Sequence, residues 1–143
     1  MSTKLILCFL LLFNIYACEG IVRGARIFSP SQTENGHPVT NEYRVKVGED
    51  FALKFKSNPS TGYVWKFANQ MDVTNVRLLD TKTLEFNNPS NLQILGRGGY
   101  TYFYLRVLEK PNDGEPITLK FVYEQYWSVS DKIPDNTIKI TVE

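Results

Sequence analysis

The chain has 143 residues, 43% of them hydrophobic and 22% charged, with a formal net charge of +1, which suits one compact domain around a single core. Near-neutral charge, with basic residues spread along the sequence, excludes nucleic acid and anionic membrane surfaces as expected partners. One histidine and two cysteines leave no Cys–His metal cluster, no nucleophile–base dyad and no triad, so no metal, no cofactor and no enzymatic activity are expected.

Lys4 precedes an apolar run from Leu5 to Tyr16, followed by the small residues Ala17, Cys18 and Gly20. These are the three regions of a secretory signal peptide, and the run is short for a bilayer span. The expected organisation is a removed leader over residues 1–20, a polar N-terminal segment over 21–42 and one domain over 43–143. Cleavage after Ala17, Cys18 or Gly20 fits the pattern. A retained membrane anchor is one alternative, and a lipobox with acylated Cys18 is another, although Tyr16 is bulky for it. The expected destination is the secretory pathway, ending outside the cell or in a lysosomal or phagosomal lumen. The product is expected to be a monomer, free of the membrane once the leader is gone. Both cysteines, Cys8 and Cys18, fall in or beside the leader, so the domain is expected to hold no internal disulfide.

Residues Ser29 to Asn41, which include His37, read as disordered or as a loose strand. From Glu42 onward the apolar pattern has period two, with turn residues at short spacing. Val45 and Val47 precede a turn at Gly48-Glu49-Asp50. Phe51, Leu53 and Phe55 share one strand face up to Asn58-Pro59. Val64 to Phe67, Val73 to Asp80 and the short Thr83 to Phe86 are predicted strands. In Gly99 to Leu108, Thr101, Phe103, Leu105 and Val107 line one side and Tyr100, Tyr102 and Tyr104 the other. A turn at Pro111-Asn112-Asp113-Gly114 leads to alternating Ile117, Leu119, Phe121 and Tyr123, and Ile138, Ile140 and Val142 close the chain. No helical periodicity of useful length interrupts the series. The prediction is an all-β, immunoglobulin-like antiparallel β-sandwich of seven to eight strands, with Trp65 in its core.

Alternate connections of such a sandwich emerge at one end. The loops at Asn58, Asn87 to Gly99 and Glu124 to Pro134 are therefore expected to cluster. Those near Ala68-Asn69 and Asp80, and from Pro111 to Pro116, fall at the other end. The first cluster holds the most distinctive residues. Asn58-Pro59-Ser60-Thr61-Gly62-Tyr63 is preshaped: Pro59 fixes one backbone angle and keeps Asn58 extended, and Gly62 tolerates a positive φ. Gly96-Arg97-Gly98-Gly99 lets backbone approach a partner closely, and Gln125-Tyr126-Trp127 ends a strand with a large flat side chain. Each has a plainer reading beside this one: a tight turn, a β-bulge, and a core tryptophan at a strand end.

In this order and spacing, over residues 43 to 142, the segments resemble the chagasin-type inhibitors of papain-like cysteine proteases. That family carries an Asn-Pro-Thr-Thr-Gly loop followed by an aromatic residue, then Gly-x-Gly-Gly, then Arg-Pro-Trp. Here Ser60 is the one change in the first motif and the second is intact. The third keeps Trp127 but has Gln125 and Tyr126 in place of Arg and Pro. The resemblance implies reversible, competitive, non-covalent inhibition of papain-like, cathepsin-type enzymes. The loop at Asn58, Pro59, Ser60, Thr61, Gly62 and Tyr63 would enter the cleft with Thr61 over the catalytic cysteine. Gly96, Gly98 and Gly99, with Gln125, Tyr126 and Trp127, would clasp its two walls. A secreted immunoglobulin-like adhesion or carbohydrate-binding module, using the same loops and the Tyr100, Tyr102 and Tyr104 face, is the alternative.

Overall fold

The computed structural model describes residues 24–32, 37–85, 98–128 and 134–143. Among these residues there are eight strands: β1 Arg26–Phe28, β2 Val39–Val45, β3 Asp50–Ser57, β4 Tyr63–Phe67, β5 Val76–Glu85, β6 Gly99–Val107, β7 Ile117–Gln125 and β8 Asn136–Val142. They form two four-stranded sheets, ordered β1-β3-β6-β5 and β2-β8-β7-β4. The β-sandwich read from the alternation is the fold observed.

The core follows from the period-two patterning. Phe51, Leu53 and Phe55 of β3 and Phe103, Leu105 and Val107 of β6 face Leu119 and Phe121 of β7 and Ile138 and Ile140 of β8. Phe55 stacks on Trp65 at 4.5 Å between centroids and meets Phe121 at 5.0 Å. Phe51, Phe55 and Phe121 are fully buried, and transfer of each side chain from water contributes on the order of 2–3 kcal/mol. The described domain contains no cysteine, so this packing carries the stability that disulfides supply in many small secreted folds.

Three features differ from the sequence reading. The sandwich starts upstream of residue 43: β1 pairs in parallel with β3 and β2 in parallel with β8, so the sheets are not wholly antiparallel. Upstream of β2, Ser31 and Gln32 are tied down by polar contacts that replace a hydrophobic pattern. Ser31 donates its backbone N–H and its hydroxyl to Asn41 Oδ1 at 3.0 and 2.8 Å. Asn136, buried within β8, donates to the Ser31 carbonyl at 3.0 Å and accepts from Asn41 Nδ2 at 3.0 Å. Gln32 brackets the backbone of Lys56, accepting from its N–H at 2.6 Å and donating to its carbonyl at 3.1 Å.

Secondly, Val73–Asp80 and Thr83–Phe86 are not two strands. β5 runs continuously from Val76 to Glu85 with a register shift between Leu78 and Asp80. It is an edge strand, exposed on both faces from Thr81 to Glu85, so no apolar alternation marks its second half. Asp80 therefore lies inside a strand rather than in a distal loop. Phe86 is outside the described residues, as are the leader and Gly96. Thirdly, Val47 sits in the β2–β3 turn, half exposed, rather than continuing the β2 face.

Polarity of the strands fixes the two ends. Ser57, Gly99 and Glu85 are in register where β3 ends, β6 begins and β5 ends. At the same end, Tyr63 opens β4 opposite Gln125, the last residue of β7. Arg26, at the start of β1, is opposite Phe51, and Val142, at the end of β8, is opposite Val45. The described chain thus starts and finishes at the other pole.

Candidate functional site: the loop tip

The β3–β4 connection is a single 3-10 turn over Pro59–Thr61, with Pro59 at its first position and Gly62 closing it at φ 76°. The loop satisfies its own polar groups. Thr61 and Gly62 donate their N–H groups to the Asn58 and Pro59 carbonyls, both at 3.1 Å. Thr61 Oγ1 donates to the Asn58 carbonyl at 2.7 Å, and Ser60 Oγ donates to Asn58 Oδ1 at 2.6 Å. Below it, the Asn58 N–H donates to the Tyr123 hydroxyl at 3.0 Å, and Trp65 Nε1 donates to the Lys56 carbonyl at 2.9 Å. Tyr123 and Trp65 stack at 5.0 Å, so the loop stands on two core aromatics. Ser60 and Thr61 remain exposed at its crest.

The third segment is a tight turn whose Ser128 N–H donates to the Gln125 carbonyl at 3.0 Å, with Tyr126 and Trp127 at the corner. It is joined to the first loop. The Tyr126 N–H donates to the Gly62 carbonyl at 3.0 Å. A Cβ on Gly62 would come within 3.3 Å of Trp127 Cζ3, so the absent side chain is what lets the indole lie over that residue. Tyr126 meets Trp127 edge-on at 4.6 Å.

From the second segment, Gly98 sits beside the first loop's base, at φ 73°, where a Cβ would be 3.1 Å from the Ser57 carbonyl oxygen. Gly99 is different. It is buried in β6, and a Cβ there would fall 2.0 Å from the Leu84 carbonyl oxygen and 2.8 Å from Glu85 Cα. A glycine is required at that position by the close passage of β5.

Asn58, Pro59, Ser60, Thr61, Gly62, Tyr63, Gly98, Gln125, Tyr126 and Trp127 therefore gather at one end, with Gly99 in the sheet beneath them. Tyr63, Tyr126 and Trp127 are 40%, 67% and 59% exposed, and they are the exposed aromatic residues among those described. Trp127 lies outside the core that Trp65 occupies. Three aromatic surfaces stranded in water on a hydrogen-bonded tip are the signature of a contact patch. Two participants were hidden in the sequence. Tyr123 reads as one more alternating core residue, and no motif in the sequence singles out Lys66. Lys66 reaches Glu124 Oε1 at 2.9 Å and the Ser128 carbonyl at 2.8 Å.

Sandwich and tip together define a binding protein that presents preformed loops from a rigid scaffold. Residues 44–142 match the family described as chagasin family peptidase inhibitor I42, and the chain belongs to that family, which is one of inhibitors and not of enzymes. None of the curated proteins compared matches the sequence significantly. Among solved structures it is similar to the cysteine protease inhibitor EhICP2 of Entamoeba histolytica, at 20% identity and TM-score 0.54, covering 83% of this chain and 96% of that one. Amebosin follows at 18% identity and TM-score 0.51, covering 83% and 98%. PbICP-C, solved in complex with falcipain-2, is 17% identical with TM-score 0.51, covering 83% and 100%. At these identities the likeness is one of fold.

Proposed function

We propose that the chain inhibits papain-like cysteine endopeptidases of the cathepsin type reversibly, competitively and without a covalent bond, by plugging the active-site cleft with its loop tip. The observation that carries this reading is the fusion of the Asn58–Tyr63 loop to the Tyr126–Trp127 turn through the Tyr126 N–H to Gly62 carbonyl bond. A tip already ordered before contact loses little entropy on binding. The complex of PbICP-C with falcipain-2 supports the choice of enzyme class.

Each motif has a role in the wedge. Thr61, at the crest, lies over the catalytic cysteine. Its hydroxyl is held by the Asn58 carbonyl and its backbone is wound into a 3-10 turn, a shape unlike the extended strand that a protease cleaves. Gly98 offers unshielded backbone to one wall, and Trp127 and Tyr126 give apolar area to the other. Gly96 completes the glycine segment. The chain acts as a monomer, and its leader delivers it to the secretory route, to work in a lumen rich in thiol proteases or outside the cell.

The recombinant domain from residue 21 should inhibit papain at near-equimolar amounts, with substrate competing. Thr61→Asp should weaken inhibition while the fold is retained. Alkylated papain, its thiol blocked by a small group, should still bind. Full papain activity in a large excess of folded domain would refute the proposal and favour the adhesion-module alternative.

A further inference from the structure

The Tyr126–Trp127 corner contains neither proline nor glycine, so nothing in its own covalent structure stiffens it. Its order has to come from elsewhere, and the side chain of Lys66 reaches it. Lys66 lies on β4 opposite Val122, one diagonal step from Glu124 on β7. Its ammonium donates to Glu124 Oε1 at 2.9 Å, to the Ser128 carbonyl at 2.8 Å and, at the longest reach, to the Gln125 carbonyl at 3.5 Å. Gln125 and Ser128 are the two residues that bracket the corner. One cation thus grips both ends of the turn that carries Tyr126 and Trp127.

We infer that Lys66 is a positioning residue for inhibition: together with Glu124 it holds the Gln125–Ser128 turn closed, so that Trp127 stays over Gly62 instead of sampling open conformations. This rests on the reading that the tip engages a papain-like enzyme. Glu124 is buried, with its side chain 10% exposed, which separates this pair from the exposed ion pairs that contribute little. A carboxylate in that setting fixes the ammonium in place, and the ammonium's other two protons are left for the two carbonyls, the full donor capacity of a lysine. The backbone hydrogen bond from Ser128 to Gln125 closes the same ring from the inside.

The test compares Lys66→Met and Lys66→Arg with the native protein by two independent readouts. One is amide exchange of Tyr126 and Ser128 in the free protein, followed by NMR. The other is the rate of dissociation from papain. Lys66→Met should speed exchange at both amides about ten-fold and dissociation by about the same factor, with association little changed. Lys66→Arg should recover most of both. Because Lys66→Met takes a cation from beside the buried Glu124, the double variant Lys66→Met/Glu124→Gln provides a version with that carboxylate neutralised, and it should show the same loosening. Ile138→Val, which trims the core by one methylene away from the tip, serves as the stability control. Unchanged exchange in both Lys66→Met variants, or loosening no greater than in Ile138→Val, would overturn the inference. A native protein that does not inhibit papain would remove the proposed target, and amide exchange alone would then decide the role of Lys66.

Discussion

Trp127 and Gly99 have opposite kinds of importance, although both belong to motifs singled out in the sequence. Trp127 is 59% exposed and is held by its neighbours on the tip. Trp127→Ala should therefore leave the melting temperature almost unchanged while weakening papain binding by about 2–4 kcal/mol, as a central aromatic anchor does. Paired thermal melts and inhibition titrations check both halves. Gly99→Ala should prevent folding, since its Cβ would occupy the space of the Leu84 carbonyl, and the fraction of soluble, cooperatively melting protein reports it. Gly62→Ala is intermediate: its positive φ costs about 1–2 kcal/mol in a residue with a Cβ, and the methyl pushes on the indole. A double-mutant cycle of Gly62→Ala with Trp127→Ala should be non-additive, because the second change removes what the first one strikes.

At the level of strands and loops, the N-terminal clasp makes the clearest prediction. Asn136→Leu removes one of the two bonds made by Asn41 Nδ2 and one of the two accepted by the Ser31 carbonyl, leaving only the 3.3 Å bond between them, which should cost about 1–3 kcal/mol, read from chemical denaturation. The loss should fall on β1 and β2 first, visible as faster amide exchange there. This clasp was illegible in the sequence because Ser31, Gln32, Asn41 and Asn136 act through hydrogen bonds spanning up to 105 residues, and a polar run without alternation reads as loose chain. β6 and β8 were legible from an unbroken period of two, and β3 and β7 from a period of two that Ala52 and Val122 interrupt, each buried next to a core residue. β5 was legible only in part, since an edge strand with a register shift and an exposed end has no inward face to reveal it. The tip divides likewise. Its turn residues announce themselves by backbone chemistry, whereas Lys66 and Tyr123 serve it from strand positions that look like any other.

The whole molecule depends on packing without covalent cross-links among its described residues. Its melting temperature should be the same with and without excess thiol, a comparison that one calorimetric scan of each sample settles. Alkali acts differently. Burial raises the Tyr43 hydroxyl above its ordinary value of 10.0, and burial, then the neighbouring Tyr102 and Asp80, raise that of Tyr104. Groups with a raised folded value keep their full contribution below the unfolded value and lose it as pH climbs through the folded one. Stability measured by denaturant should thus hold up to the ordinary tyrosine value of 10.0 and decline above it, as the two raised hydroxyls ionise.

Arg26 and Val142 lie at the pole opposite the aromatic tip. A tether, a fluorescent protein or a bead coupled at either extremity would trail behind the scaffold, leaving the working surface pointing outward. An immobilised column of this chain should accordingly capture its enzyme as well as the free molecule does, from whichever extremity it is hung.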